Sequence, residues 1–199
     1  MANYVESYRK VMKHEGGYSN DPDDRGGETY KGVARNFYPD WDGWKIIDIL
    51  KNTSDGNYEA FLNGMKNSYK LNDMVVMFYK PKYWDKFRGD DIQSQAIADE
   101  MLDIAVNMGV STANKFLQIA LNVLNRNQKI YNNIDTDGIV GNKTISTLNT
   151  FMDKSGDIKF LIKILNILQG NRYIDIMLRD ESQEKYCRGW LNRVEFVKH

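Results

Sequence analysis

The sequence predicts a mainly α protein in two lobes that carries one small β-hairpin, and three observations lead there. Apolar residues recur at helical spacing through most of the chain. Strand-like alternation is confined to one short run, "ETYKGVA", behind a cluster of turn-forming residues. A chain of 199 residues, with 42% hydrophobic and 27% charged residues and three prolines, has the size and make-up of one large core or two small packed lobes.

Tyr4, Val5, Tyr8, Val11 and Met12 mark a first helix that stops at Gly16-Gly17, which places Glu15 at or near its last turn. The turn-rich residues from Asn20 to Gly27 lead into the hairpin. Two helices follow, Tyr58 to Lys70 and Asn72 to Trp84, with a break near Leu71 and an end at Pro81, and Trp41, Trp44 and Trp84 flank them as packing anchors. "SQAIADEMLDIAVNMG" aligns Ile97, Met101, Ile104, Ala105 and Met108 on one face, between a Ser94 cap and a Gly109 stop. Helices are expected at Thr112 to Asn125, Lys143 to Phe151, Asp157 to Leu168 and Tyr173 to Arg179, with a weaker one over Gln183 to Val194. The lobe boundary falls near Asp90-Asp91, giving lobes 1–91 and 92–199.

Lysine plus arginine balance aspartate plus glutamate at 27 each, so no global field calls for nucleic acid or an anionic membrane. Cys187 is the one cysteine, which excludes an internal disulfide and a cysteine-based zinc site; with His14 and His199 as the histidines, a thiol protease is also disfavoured. The opening "MANYVESYRKVMKHEGG" has no apolar signal core, and no run reaches membrane-spanning length. Synthesis in the bacterial cytoplasm without a signal peptide is the expectation, with no stable membrane insertion.

The chemistry concentrates between His14 and Val33, "HEGGYSNDPDDRGGETYKGV". A carboxylate at a helix C-terminus faces the negative end of the helix dipole, which disfavours its ionisation. A Glu15 that keeps its proton near neutral pH is what general acid catalysis of glycosidic cleavage requires, opposite a second, ionised carboxylate. Asp21, Asp23 and Asp24 are candidates for that second group, Thr29 for holding a water, and Tyr18 and Tyr30 for contacts to sugar rings. Turn-forming Asp and Asn usually serve local hydrogen bonds, and a Gly pair is often a plain helix stop, so spacing alone leaves a structural role open. A calcium loop fails twice. Asn133, Asp135, Asp137 and Gly138 fit its opening positions, but the closing position is Thr144, which has no carboxylate, and a frame from Asp21 closes on Gly32.

The run "EGGYSNDPDDRGGETYKGV" resembles the signature of the glycoside hydrolase family 108 N-acetylmuramidases. The glutamate, the paired glycines, D-P-x-D, G-G-x-T and a following glycine occur in order. "GWKIID", "YWDKFRGDDI" and "DEMLDIAVNMG" are similar to that family too, and "LQIALN", "DGIVGNKTISTLN" and "RGWLNRV" resemble its C-terminal peptidoglycan-binding-type region. The resemblance covers nearly the whole chain.

It implies a lysozyme-like, two-lobed helical fold with the hairpin near the active site. Residues 1–91 would be the muramidase catalytic lobe and 92–199 a peptidoglycan-binding-type lobe packed against it. The implied activity is hydrolysis of the β-1,4 bond between N-acetylmuramic acid and N-acetylglucosamine in bacterial peptidoglycan. The family's catalytic glutamate falls on Glu15. The Glu, Asp and Thr of related phage-type lysozymes fall on Glu15, Asp24 and Thr29, with the Asp-to-Thr gap one residue shorter here, which keeps Asp21 and Asp23 in contention. Tyr18, Tyr30 and Asp21 are the expected substrate contacts. No cofactor and no metal are expected, and the protein is expected to act as a monomer. A lytic transglycosylase using the same acid is one alternative, and a non-catalytic wall-binding or secretion-assisting module is another. Action at the wall would follow release through a holin, as for a prophage endolysin, or a dedicated exporter.

Overall fold

The computed structural model describes residues 1–12, 17–21 and 26–194. Glu15, Gly16, Asp23 and Asp24 therefore lie outside the described residues; the first helix ends at Val11, ahead of the expected Gly16-Gly17 stop, of which Gly17 alone is described. The chain divides into two compact units, Val5–Lys82 and a second made of Met1–Tyr4 with Tyr83–His199. The division falls between Lys82 and Tyr83, ahead of Asp90-Asp91.

In the first unit, helix α1 (Tyr4–Val11), all but its first residue, is followed by strands β1 (Tyr18–Ser19), β2 (Thr29–Tyr30) and β3 (Val33–Ala34), and then by helices α2 (Gly43–Thr53), α3 (Tyr58–Asn67) and α4 (Tyr69–Tyr79). The strands form one antiparallel sheet in the order β1-β2-β3. The expected hairpin is its β2–β3 half, and β1 adds a third strand through the pairs Tyr18↔Tyr30 and Ser19↔Thr29. A two-residue turn, Lys31-Gly32, joins β2 to β3 with both residues at positive φ, 45° and 78°. That backbone matches the twist of a tight hairpin and favours glycine at its second position. Gly32 has a further reason to be glycine. The Tyr79 hydroxyl donates to the Lys31 carbonyl at 2.9 Å, and a β-carbon on Gly32 would stand 2.2 Å from that hydroxyl.

The helix break expected near Leu71 falls at Ser68, which ends α3 and caps α4 by accepting from the Leu71 amide at 3.3 Å. Leu71 itself is fully buried and belongs to the α4 packing face. Pro81 does not end the helix abruptly. The backbone widens into a π-helical turn over Lys80–Trp84, a geometry that tolerates the amide proline lacks. Helix α2 went unread because its start carries no cap: the Asp42 carboxylate turns to Lys45 Nζ, 2.6 Å away, instead of to the helix amides. Trp44 and Ile47 still bury one turn apart. Of the three tryptophans read as anchors, Trp44 and Trp84 are buried and Trp41 is half-buried.

The second unit contains α5 (Gln95–Met108), α6 (Val110–Leu124), α7 (Asn142–Lys154), α8 (Ile158–Arg179) and α9 (Cys187–Leu191), the last preceded by a 3₁₀ segment, Glu181–Tyr186. Short 3₁₀ turns at Asp85–Phe87 and Gly89–Asp91 lead into it. Ser94 caps α5 by accepting from the Ile97 amide, and Gly109 ends it at φ 88°, as the sequence predicts. The N-terminal residues join this unit: the Ala2 amide donates to the Ile92 carbonyl at 2.8 Å, and the Asn3 amide donates to Gln95 Oε1 at 2.6 Å.

Two helices were expected where α8 runs unbroken through Gly170. A mid-helix glycine costs roughly 1 kcal/mol. The stripe Leu161, Leu165, Gln169, Tyr173 is fully or almost fully buried across that point, and each buried leucine returns about 2 kcal/mol, so packing wins. The weak C-terminal helix expected over Gln183 to Val194 is the 3₁₀ segment and short α9, held to α8 by Trp190 stacked on Tyr173, with ring centroids 5.0 Å apart.

The hairpin turn yields a stability prediction. Gly32→Ala meets both left-handed backbone strain and the Tyr79 hydroxyl, and is expected to cost about 3 kcal/mol in urea unfolding. Gly56→Ala has similar φ, 77°, but no atom within 4 Å of the new methyl, so it should cost about 1 kcal/mol. Equal losses in the two variants would remove the Tyr79 contact from the explanation.

Candidate active site

The described part of the site is built on the three-stranded sheet. Side chains alternate across a sheet, so the register assigns faces. Tyr18 pairs with Tyr30, and Ser19 with Thr29, which pairs with Ala34. Tyr18 and Tyr30 therefore share one face, and Thr29 lies on the other. The sequence reading takes all three as site residues, Thr29 for water and the tyrosines for sugar; the pleat separates Thr29 from the tyrosines.

Tyr30 is 3% exposed. Its hydroxyl lies 3.3 Å from both the Met65 carbonyl and Asn72 Oδ1. That burial leaves no ring face for a sugar to stack on, and it corrects the expected role of Tyr30: the residue fixes the sheet to α3 and α4. Burial pushes its phenol up to about 12.

Tyr18 is half-buried, edge-on to Phe61 with centroids 4.9 Å apart. Its hydroxyl donates to Glu28 Oε1 at 2.6 Å. Burial first, and then this bond to a carboxylate, push the phenol up to about 12. Tyr18 also lines a cleft of about 440 Å³ with Asn20, Lys51, Asn57 and Tyr58, and Tyr58 is 60% exposed. Tyr18 is thus placed where it can touch a substrate. Asp21 is exposed.

Thr29 is half-buried, and its hydroxyl donates to the Gly27 carbonyl at 3.1 Å. With its proton committed there, the oxygen offers lone pairs as acceptors. A hydroxyl used this way can receive a hydrogen bond from a water.

Glu28 was not singled out from the sequence, yet it is the electrostatic centre of the sheet. Its side chain is 10% exposed and accepts from Tyr18 and from Lys51 Nζ at 2.7 Å. Arg35 Nε sits 3.0 Å from its other oxygen at ion-pair distance, without hydrogen-bond alignment. Arg35 also forks onto Asp48 and lies over the Trp44 ring at 4.5 Å. The bond to Glu28 is the main reason the Lys51 ammonium is raised above its ordinary value. The signal for Glu28 was its place one residue before Thr29 in the strand run, which puts it on the tyrosine side of the pleat.

The "DGIVGNKT" turn, in the second unit, is closed by the protein's own donors. Asp137 Oδ1 accepts from Gln118 Nε2 at 2.8 Å and from the Ile139 amide at 2.9 Å. Asn114 donates to the Gly138 carbonyl at 3.0 Å. Among the described residues, no group of three or more His, Cys, Asp or Glu side chains is arranged to hold a metal ion.

Residues 8–109 match the family described as Glycosyl hydrolase 108, and residues 112–195 match one described as Predicted Peptidoglycan domain. These matches define the class: a glycoside hydrolase acting on peptidoglycan. The chain belongs to glycosyl hydrolase family 108, a family of N-acetylmuramidase-type peptidoglycan hydrolases. No curated protein matches the sequence. Among solved structures it is similar to Brucella abortus SagA, at 22% sequence identity over 96% of this chain and 88% of that one, with a TM-score of 0.56. The shared fold is mainly α and lysozyme-like.

The raised Tyr18 phenol sets an alkaline response. An unfolded tyrosine releases its proton near pH 10, whereas folded Tyr18 holds it to about 12. In that window the folded state binds more protons, so its contribution to stability is full below pH 10 and is lost as pH rises toward 12. Tyr18→Phe should flatten the fall in unfolding free energy across this range, with phenolate absorbance showing one fewer late-titrating tyrosine. An unchanged slope in Tyr18→Phe would contradict the raised Tyr18 phenol.

Proposed function

We propose that this muramidase uses Glu15 as general acid, with Asp24 and Thr29 completing the site. The observation that carries the reading is the ordered run Glu15, Asp24, Thr29 inside the segment that matches the hydrolase family. Glu15 protonates the leaving glycosidic oxygen. Asp24 stabilises the oxocarbenium-like transition state or shares with Thr29 the positioning of a water.

The Thr29 geometry supports the water-positioning role. An attacking water must point a lone pair at the anomeric carbon, so its two protons need acceptors. The Thr29 oxygen supplies one because its own proton is given to Gly27, and a carboxylate supplies the other. Such a site favours hydrolysis over the intramolecular closure of a transglycosylase, which has no use for a held water.

Tyr18 contributes a substrate contact from the other side of the sheet, through the cleft it shares with Tyr58 and Lys51. Asp21, exposed in the same segment, contributes a further contact to sugar hydroxyls. The enzyme acts as a monomer on the wall, as a prophage endolysin would, after a holin or a dedicated exporter releases it. Among the described residues, no helix is long and apolar enough to cross a membrane.

Turbidity loss of purified peptidoglycan tests the assignment. Glu15→Gln should lower clearing by at least about 100-fold at equal folded concentration, the usual scale for losing a general acid. Thr29→Val, which keeps the shape and removes the acceptor, should lower it about tenfold or more. Clearing by Glu15→Gln at the wild-type rate would eliminate Glu15 as the acid.

A further inference from the structure

A second recess in the first unit, about 680 Å³, is lined by Trp41 and Phe78 with Asp40, Asp73, Lys70 and Met77 among its walls. None of these residues has a part in the reading above. Trp41 is unusual here: it is half-buried yet held from several sides.

Its ring lies edge-on to Trp44 at 5.3 Å and to Phe78 at 6.2 Å. The ring also rests against Gly43, where a β-carbon would come within 2.2–2.4 Å of three ring atoms. Gly43 has no positive φ among the glycines that do, so room for the indole is the reason for glycine at that position. The backbone is fixed as well. The Trp41 amide donates to the Tyr38 carbonyl at 3.2 Å, the Trp44 amide donates to the Trp41 carbonyl at 3.0 Å, and the Trp44 indole N–H donates to the Tyr38 carbonyl at 2.8 Å. A large aromatic side chain immobilised while still partly open to solvent is a preformed platform, because a ligand stacking on it need not pay to order it.

The charges around the recess select the ligand class. Asp40, Asp42, Asp73 and Lys70 line the recess, and Lys45 and Lys82 each stand against a lining residue, Asp42 and Phe78. Lys82 Nζ already sits over the rings of Tyr38 and Phe78, at 4.2 and 4.7 Å. A cationic ligand would meet these ammonium groups and an anionic one the carboxylates, so the balance favours a neutral ligand. Exposed Asp40 and Asp73 offer acceptors to hydroxyl groups. A flat apolar face ringed by hydroxyls and amides describes a pyranose.

We infer that the Trp41 recess is a hexosamine-binding subsite that holds one neutral N-acetylated sugar of the glycan strand against the Trp41 ring. The inference rests on peptidoglycan being the substrate and does not depend on the role of Glu15.

The test uses the full chain carrying Glu15→Gln, so that turnover does not enter, and a soluble β-1,4 N-acetylglucosamine tetramer as probe. The indole N–H resonance of Trp41, assigned from its disappearance in Trp41→Phe, should shift and saturate during titration. Asp73→Asn, a change at an exposed residue, should weaken that shift severalfold. Sedimentation with insoluble peptidoglycan should show Trp41→Ala binding about five- to tenfold more weakly, the loss of one stacked ring. A Trp41 resonance that stays fixed while other resonances saturate would overturn the subsite, and so would wall binding by folded Trp41→Ala equal to its parent. Loss of clearing by wild type would count against the Proposed function and leave these binding readouts intact.

Discussion

The sheet depends on Glu28. One largely buried carboxylate accepts the Tyr18 phenol and the Lys51 ammonium and pairs with Arg35. Those partners come from β1, from α2 and from the residue after β3, so a single charge ties all three strands to the helix behind them. Strands two residues long cannot hold themselves together, since an isolated short hairpin is marginal even at greater length. Removing the carboxylate would leave two cations facing each other in a partly dry site, which costs more than the bonds themselves are worth. Thr29 is the next residue along the same strand. Whatever holds Glu28 in register also aims Thr29 to the opposite face.

The opposite end of the sheet is fixed without charge. Tyr79 reaches from α4 to the Lys31 carbonyl, and Gly32 leaves it room. Tyr30 anchors the middle strand from inside the core. The tyrosines around the sheet are structural first: burial holds the phenol of Tyr30 protonated well into the alkaline range, and the same cause, with Glu28, acts on Tyr18. Tyr18 alone of this pair also reaches a cleft.

Legibility in the sequence followed locality. Helix α5 could be read to its ends because Ser94 and Gly109 act within one turn of their own backbone. The "TYKGV" hairpin could be read for the same reason. What escaped depended on distant partners. Helix α2 has no cap, and its evidence is burial of Trp44 and Ile47 in a helix that packs on α3 and α4. Strand β1 exists because β2 pairs with it. Helix α8 passes Gly170 because the stripe from Leu161 to Tyr173 packs across it. At the site, residue type pointed to Tyr18 and Tyr30 alike, but only the pleat and the core distinguish a residue at a cleft from a buried one. Glu28 was hidden in plain view among acidic neighbours, since its importance lies in Lys51 and Arg35. The choice of Glu15, Asp24 and Thr29 came from an ordered motif shared with a family, and carboxylate chemistry explains why those types suit the reaction.

The central claim is that the family's bond is broken here by water, delivered at a site that includes Thr29. Mass analysis of the ends released from purified peptidoglycan in ¹⁸O-labelled water reads that chemistry directly. The account predicts reducing N-acetylmuramic acid ends that carry one labelled oxygen. Unlabelled anhydro-muramic ends would show intramolecular closure in place of hydrolysis, and reducing N-acetylglucosamine ends would place the cut at the other glycosidic bond; either would contradict it.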